Sequence, residues 1–260
     1  MIQEAGNRLP LVSVVLTTRD RPRFLSTALA CYQHQTYPNR ELVVVDDGDE
    51  NPADAAQVAS AGGRLLRAEP GTPLGSKLNA GIEASRGSLC QKMDDDDWYA
   101  PAFLASMVEA FMASWKVVCH PTVAFLTPFL FFDIARWEVR QSIDNNVPGA
   151  TLLFARSGWE ERPFRSLRGD EDLWFVLDHM GLGASLVPCR ALETFLAVRH
   201  GNSGRDRSHT WLRQATGQSL EEYLTDRPLH DGGPERLLPV WALERYRAIR
   251  HDLVPSINTG

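Results

Sequence analysis

The chain has 260 residues, 43% of them hydrophobic, and a net charge of −6 at pH 7. This apolar content is enough for one large globular domain and excludes a disordered chain. The negative charge argues against a nucleic-acid partner, because a general nucleic-acid binder carries a basic face.

Strand and helix patterns alternate through the first half of the chain. A β-branched run predicts a buried strand at Leu11–Thr17, and three further strands are predicted at Glu41–Val45, 64–68 and 88–93. Helical periodicity predicts four helices, at 22–35, 51–60, 75–87 and 101–114. The second of these helices has Asn51 placed as N-cap and Pro52 at its first position. Such alternation indicates an α/β fold with a parallel sheet and right-handed crossovers.

The second half of the chain is less regular. Strands are predicted within 115–139 and 149–157, in antiparallel arrangement, and another at 194–200. A helix is predicted over 170–181, ending at Gly181 or Gly183. The tail from Trp211 has an amphipathic helical pattern and no sign of a separate domain.

Signals of compartment point to the cytoplasm. The four cysteines are widely spaced and form no Cys-x-x-Cys pair, which favours reduced thiols: Cys31, Cys90, Cys119 and Cys189. The first ten residues lack the pattern of a signal peptide. The most apolar segment, 123–135, is interrupted by Pro128 and Asp133 and is too short to span a bilayer. Peripheral contact with a membrane stays compatible with the sequence.

Three polar clusters follow predicted strands: 17–20 (TTRD), 46–50 (DDGDE) and 94–98 (DDDDW). In open parallel sheets, ligands bind beyond the carboxyl ends of the strands. We therefore expect the three clusters to lie together at one edge of the sheet. For the middle cluster, an Asp-Gly hairpin is excluded because helix-start signals follow it, whereas a solvated turn remains the alternative to ligand binding.

Four consecutive aspartates, Asp94–Asp97, end the fourth strand. Each neighbouring pair costs about 1 kcal/mol in water and several times that in a cleft, so a fold keeps such a cluster solvated or neutralises it with a cation. A calcium loop is excluded, because Trp98, Tyr99 and Ala105 stand where it needs an oxygen ligand, a glycine and a glutamate. Carboxylates select Mg²⁺ or Mn²⁺, which complete their shells with phosphates and water. The cluster therefore indicates a nucleotide-diphosphate site.

The segment from Leu11 to Ser114, with "VSVVLTTRDRPRFLSTALACYQHQTYPNRELVVVDDG" and "GSKLNAGIEASRGSLCQKMDDDDWYAP", resembles the nucleotide-binding half of inverting glycosyltransferases of family 2. The resemblance implies a Rossmann-like glycosyltransferase A-type fold with a mixed, mostly parallel sheet, helices on both faces and a small antiparallel acceptor-side portion. It also implies that the donor is a nucleotide-diphosphate sugar, with a UDP-sugar favoured. The acceptor would carry a hydroxyl group, and the metal would be Mn²⁺ or Mg²⁺. Residues 1–115 would form the donor half and 116–260 the acceptor half of one continuous domain.

The resemblance assigns roles in the donor half. Thr17 and Arg19 would line the nucleotide, and Asp47 would accept the ring N–H of uracil. Lys77 would lie by the ribose or phosphates, with a solvated helix lysine as the alternative.

Within the aspartate cluster the register is open. The resemblance, aligned on Pro101, implies that Asp96 would be the principal metal ligand, that Asp94 or Asp95 would face the ribose, and that Asp97 would stabilise the loop.

In the acceptor half, Asp170 is the general base by resemblance, with Glu171 and Asp172 in contention. A base is required because the acceptor hydroxyl loses its proton as it attacks. The alternative for Asp170 is a helix N-cap. His200 would ligate the metal or touch the diphosphate, or serve only the fold.

Two other functions remain in view. A sugar nucleotidyltransferase usually carries a glycine-rich loop after its first strand, and the segment "TTRDRPRF" has no glycine. The other is a non-catalytic relative that binds a nucleotide or glycan.

Overall fold

The computed structural model describes residues 9–115, 122–144, 147–200 and 220–253. The described strands are β1 (Val12–Thr18), β2 (Arg40–Asp46), β3 (Gly63–Arg67), β4 (Leu89–Asp94), β5 (Trp98–Tyr99), β6 (Thr122–Leu126), β7 (Leu130–Asp133), β8 (Glu138–Gln141), β9 (Leu153–Ala155), β10 (Ser185–Cys189) and β11 (Phe195–Arg199). The described helices are α1 (Pro22–Gln33), α2 (Ala55–Ser60), α3 (Leu74–Glu83), α4 (Phe103–Trp115), α5 (Arg156–Glu161), α6 (Glu171–Gly181), α7 (Leu220–Thr225), α8 (Gly233–Leu237) and α9 (Val240–Leu253). Residues 211–219 of the predicted helical tail lie outside this description.

The central sheet has seven strands in the order β10-β6-β9-β4-β1-β2-β3. Strands β1 to β4 pair in parallel, as predicted. β9 runs antiparallel to both β4 and β6, whereas β6 and β10 pair in parallel. The sheet is therefore mixed and mostly parallel, and the predicted fold class is confirmed.

Helices cover both faces of this sheet, and each face has its own core. Along β1, Val14 and Leu16 belong to the core that includes α1 and α4 residues, whereas Val15 belongs to the core that includes α3 and α6 residues. A strand buried on both faces reads as a continuous apolar run, which explains why β1 was recognisable from sequence.

A second, smaller sheet has the order β5-β11-β7-β8. β5 pairs with β11 and β7 with β8 in antiparallel fashion, as expected for the acceptor side, but β7 and β11 are parallel. The sequence missed β5 because it has two residues, and β10 because it contains Pro188. Proline is tolerated there since β10 lies at the edge of its sheet.

The helix predicted over 51–60 is present as α2, but its predicted start at Asn51 and Pro52 is wrong, because α2 begins at Ala55. The Asn51 N–H donates to the Asp20 carboxylate at 2.8 Å and therefore holds the segment in a loop. Asp54 is the actual N-cap, and its side chain accepts the Ala56 N–H at 2.8 Å.

Two other boundaries differ from the predictions. α3 ends at Glu83 rather than near Gly87, because the Gly87 N–H donates to Ser13 Oγ of β1 at 2.8 Å. The strand predicted over 149–157 is confined to β9, and α5 begins at Arg156.

The first turn of α3 packs against the loop that precedes α6. The Gly75 N–H donates to the carbonyl of Leu167 at 3.1 Å, and a Cβ on Gly75 would lie 1.9 Å from the Arg165 carbonyl oxygen. Only glycine allows this approach. The contact ties the acceptor-side loop to the helix that carries Lys77.

We predict that Gly75→Ala lowers the free energy of unfolding by about 1–3 kcal/mol, because the added methyl group must displace backbone. Chemical denaturation measures the change. Gly181→Ala is the matched control, since a Cβ at the end of α6 would meet no atom within 4 Å. Equal stability of the two variants would contradict the prediction.

Candidate functional site

The three polar clusters meet at the carboxyl edge of the central sheet, as predicted. Asp20 accepts the N–H groups of Glu50 at 3.0 Å and Asn51 at 2.8 Å, which joins the loops after β1 and β2. These backbone hydrogen bonds lower the pKa of Asp20, and the bond from Asn51 has the largest effect. Thr18 Oγ1 donates to Asp95 Oδ2 at 2.7 Å, which joins the loops after β1 and β4.

Asp47 forms the centre of a buried polar group under the β3–α3 loop. Its Oδ1 lies 2.5 Å from Lys77 Nζ, and its Oδ2 accepts the Gly71 N–H at 3.1 Å. Arg19 Nη1 is 3.8 Å from the same Oδ2. Lys77 also donates to the Thr18 carbonyl at 3.3 Å and is buried, so the alternative of a solvated helix lysine is wrong. Thr17 is buried at the end of β1, in register with Asp94 of β4.

The neighbouring Asp46 has a structural contact pattern. It is fully buried and accepts the N–H groups of Gly48 at 2.8 Å and Ala53 at 2.6 Å, and it pairs with Arg67. Asp46 therefore shapes the β2–α2 loop, while Asp47 points toward Lys77 and Arg19.

The first two residues of the aspartate series turn in different directions. Asp94 Oδ1 lies 2.7 Å from Lys92 Nζ, and this carboxylate is partly exposed at the sheet edge. Asp95 is buried and accepts from Thr18 and from Arg21 Nη1 at 3.0 Å. Burial raises the pKa of Asp95 to about 6 in spite of the Arg21 charge. Asp94, rather than Asp95, is thus open toward a ligand.

Asp96 meets His200, which directly follows β11. His200 Nε2 donates to Asp96 Oδ2 at 3.2 Å, and Arg21 Nη1 donates to the same oxygen at 2.8 Å. Burial alone would raise the pKa of Asp96, but the His200 hydrogen bond and the Arg21 charge hold it well below its usual range. Asp97 is buried and accepts the Val198 N–H at 2.8 Å, and burial and the Asp96 charge raise its pKa. Asp97 therefore stabilises the loop, as expected.

The pair Asp96 and His200 fits a divalent cation. Two ligands at right angles around an octahedral cation, each at ~2.1 Å, lie about 3 Å apart, close to the observed 3.2 Å, and His200 Nε2 would ligate in the tautomer that carries its proton on Nδ1. His200 Nδ1 is buried and has no hydrogen-bond partner among the described residues. No group of three or more His, Cys, Asp or Glu residues that could hold a metal ion occurs in the described ranges. Mg²⁺ and Mn²⁺ at nucleotide sites complete such a pair of protein ligands with phosphate and water.

The three acids that open α6 differ in exposure. Asp170 is exposed, and its φ of +59° lies in the left-handed region, which Asp tolerates. Asp170 occupies the N-cap position of α6, as the alternative predicted, but its side chain makes no capping hydrogen bond to the helix. Glu171 is 3% exposed, and Asp172 is intermediate.

A 3₁₀ turn at Gly149–Thr151 lies between the donor side and α6. The Asp172 carboxylate packs directly on Gly149, where a Cβ would come within 1.7 Å of it. On the other side, Tyr99 Oη accepts the Asp94 N–H at 2.8 Å and donates to the Ala150 carbonyl at 3.1 Å. The turn thus brings Asp172 and Asp94 close to the same three residues.

Several site residues escaped the sequence analysis: Arg21, Lys92, Tyr99, Gly149 and Arg168. Arg168, which precedes α6, reaches across to the donor side and would lie 3.6 Å from a Cβ on Gly71, beside Arg19. Only Lys92 had a local signal, since it is a charged residue within a buried strand.

A chain of this architecture, with acids and an imidazole gathered at the carboxyl edge of a mostly parallel sheet, is typical of nucleotide-dependent transferases. Glycosyl transferase family 2 matches residues 13–178, which is well over half of the chain. The chain belongs to this family of transferase enzymes.

Individual relatives agree with this assignment. EpsH of Bacillus subtilis (strain 168) is 31% identical over 102 residues, which is 38% of this chain and 30% of EpsH. An uncharacterised glycosyltransferase of Rickettsia felis is 34% identical over 95 residues, 35% of this chain and 16% of the relative. The matched segments thus span a third or less of the length of these relatives.

Solved structures share the fold. S. aureus TarS 1–349 in complex with UDP-GlcNAc superposes with a TM-score of 0.58 and 14% identity, over 93% of this chain and 80% of that chain. The mannosyltransferase PcManGT of Pyrobaculum calidifontis in complex with GDP-Man and Mn²⁺ has a TM-score of 0.59 and 16% identity, over 94% of this chain and 74% of that one. None of the described helices is both long and apolar enough to cross a membrane.

We predict that Lys77→Met costs about 3–5 kcal/mol of folding free energy, because it leaves the Asp47 carboxylate buried without its cation. Thermal and urea unfolding measure the loss. The double variant Asp47→Asn/Lys77→Met is the control and should recover a large part of it. A double variant as unstable as Lys77→Met would show that the pair is not coupled.

Proposed function

We propose that the chain is a metal-dependent inverting glycosyltransferase that moves a sugar from a nucleotide-diphosphate sugar, in first place a UDP-sugar, to a hydroxyl. The acceptor class is a glycan, a lipid-linked glycan or a small molecule. The observation that carries the proposal is the pairing of Asp96 with His200 at 3.2 Å, at the sheet edge that also holds Asp47 and Asp94. The UDP-GlcNAc complex of TarS and the GDP-Man and Mn²⁺ complex of PcManGT support this class of donor. Buried free thiols at Cys31, Cys90 and Cys189 support action in the cytoplasm.

The nucleotide is assigned to the pocket around Asp47. Lys77 and the Gly71 N–H hold this carboxylate in place, and a carboxylate has further lone pairs with which to accept the ring N–H of uracil. Arg19, on the same loop edge, would face the nucleotide together with Thr17. Asp94 is assigned to the ribose because its carboxylate is partly exposed. The contacts of Asp95 with Thr18 and Arg21 indicate a structural role.

A divalent cation would be held by Asp96 and His200. When bound, it supplies positive charge to the diphosphate leaving group. The imidazole nitrogen favours Mn²⁺ over Mg²⁺, which prefers oxygen ligands. Arg21 would then neutralise Asp95, which it already contacts at 3.0 Å.

The general base is assigned to Asp172. The sequence favoured Asp170, with Glu171 next, but a base needs both access to the acceptor and a place beside the donor. Glu171 is 3% exposed, and Asp170 is exposed in the left-handed position before α6. Asp172 is partly exposed and packs on the turn that also holds Asp94 through Tyr99.

The reaction is a single displacement. The acceptor oxygen forms a bond to the anomeric carbon as the bond from that carbon to the diphosphate oxygen breaks. The carboxylate of Asp172 takes the hydroxyl proton from the face opposite the leaving group, and the configuration inverts.

We predict that UDP binding depends on a divalent cation and on Asp96. In calorimetric titrations, UDP with Mn²⁺ should bind at least about tenfold more tightly than UDP with EDTA, because charge-assisted contacts contribute about 1.5–3 kcal/mol. Asp96→Asn should remove most of this difference. GDP and CDP serve as matched nucleotides, and CDP should bind more weakly than UDP because cytosine lacks the ring N–H.

Equal UDP affinity with Mn²⁺, with EDTA and in the Asp96→Asn variant would contradict the metal bridge. Incubation of the wild type with Mn²⁺ and a panel of nucleotide sugars then separates the functions. Release of UDP supports transfer, pyrophosphate chemistry supports a nucleotidyltransferase, and binding without turnover supports a non-catalytic relative.

We predict that Asp172→Asn lowers turnover of the nucleotide sugar by about 10²–10⁴-fold, the usual contribution of a general base, and leaves the UDP dissociation constant within a few-fold. Asp170→Asn is the matched control, because Asn also tolerates the left-handed conformation. Loss of turnover in Asp170→Asn, with Asp172→Asn still active, would return the base to Asp170.

A further inference from the structure

Lys92 is a lysine placed inside an apolar layer of the protein. It lies on β4, and its side chain is on the same face as Cys90, which belongs to the core between the sheet and helices α3 and α6. Only 2% of the residue is exposed. A buried ammonium without acidic partners costs several kcal/mol, so its surroundings must supply negative charge.

The first partner is on the donor side. Lys92 Nζ lies 2.7 Å from Asp94 Oδ1, two residues further along the same face of β4. Asp94 is the carboxylate of the aspartate series that opens toward the nucleotide site. The ammonium group of Lys92 therefore fixes the direction of the Asp94 side chain.

The second set of partners is on the acceptor side. Burial alone would lower the pKa of Lys92, but the charges of Asp94, Glu171 and Asp172 outweigh it and raise the pKa above the ordinary value. The acids that open α6 thus lie within electrostatic reach of the same ammonium group.

A backbone hydrogen bond also connects Lys92 with the turn beside Asp172, and this connection does not depend on charge. The Lys92 N–H donates to the Leu152 carbonyl at 2.9 Å, and Leu152 directly follows the Gly149–Thr151 turn on which Asp172 packs. Donor acid, lysine, turn and α6 acid therefore form one contiguous unit.

We propose that Lys92 is a positioning residue for sugar transfer: its ammonium group holds Asp94 on the donor side, its backbone N–H holds Leu152 beside the Gly149–Thr151 turn on which Asp172 packs, and together these contacts set the separation between donor and base. This inference rests on the proposed transferase function. A lysine that only stabilised the fold would need one acidic partner, whereas Lys92 serves acids from both halves.

The test compares Lys92→Met and Lys92→Arg with Asp172→Asn and with the double variant Lys92→Met/Asp172→Asn. UDP release from the nucleotide sugar that the wild type turns over gives kcat per folded molecule, titration with UDP and Mn²⁺ gives donor affinity, and thermal unfolding gives Tm. We expect Lys92→Met to lower kcat on the order of 10²-fold, the usual effect of a misplacement of about 1 Å. UDP affinity should stay within several-fold.

The double variant shows whether Lys92 acts through Asp172 or independently of it. If Lys92 acts through Asp172, Lys92→Met/Asp172→Asn should be no slower than Asp172→Asn, since residues that work as a unit are non-additive. Multiplicative losses, or a Lys92→Met enzyme with kcat within twofold of wild type, would overturn the proposal.

Lys92→Arg covers the case in which Lys92→Met does not fold. It keeps the charge but changes the shape of the charged group. A positioning role therefore predicts a folded enzyme with kcat lowered at least about tenfold, whereas a purely structural ion pair predicts wild-type kcat.

Gly149→Ala should lower kcat with Asp94 and Lys92 intact, because the added methyl group displaces Asp172. Wild-type turnover in this variant would count against the proposal. A wild type that neither binds UDP nor turns over any nucleotide sugar would instead refute the proposed function itself.

Discussion

The repulsion among four consecutive carboxylates is the constraint on which the site depends. The fold meets it by giving each aspartate its own set of partners, with Arg21 shared by two of them: Asp94 contacts Lys92, Asp95 contacts Thr18 and Arg21, Asp96 contacts Arg21 and His200, and Asp97 contacts the backbone of β11. The partners come from β1, β4, β11 and the loop that leads into α1. Neutralising the cluster therefore also assembles the elements that surround it, and the protein's own cations do part of what was expected of a metal.

The two halves of the chain that were predicted as donor and acceptor sides are joined by more than chain connectivity. Gly75 lets α3 touch the loop before α6, the Gly149–Thr151 turn touches both Asp172 and Tyr99, and β5 pairs with β11. Each of these contacts lies beside a candidate site residue. The site is thus built at the seam between the halves, so rigidity of the seam is a condition for a fixed distance between donor and base.

Much of the fold could be predicted from local patterns. β1 and β2 contain apolar, β-branched runs, α1 has a clear apolar face, and the clustering of three polar loops follows from parallel strands alone. The starting point of α2 was wrong because the Asn51 N–H is taken by Asp20, a contact between residues 31 apart. β10 and β5 were missed because an edge proline and a two-residue length leave no periodicity. Lys92 and Arg21 gain their roles only through acids distant in sequence, which one-dimensional patterns do not show.

The small sheet has a consequence for how the chain can vary. Asp96 lies two residues before β5 and His200 directly after β11, and the antiparallel register Phe195↔Tyr99 and Leu196↔Trp98 places both residues at the same end of this strand pair. The stretch between these strands is close to a hundred residues long, yet its length does not affect their meeting. The alignment of β11 with β5 does affect it, because a shift of β11 by a single residue would turn His200 to the opposite face of the sheet. Insertions between the strands are compatible with the pair, whereas one extra residue inside β11 would separate the imidazole from the carboxylate.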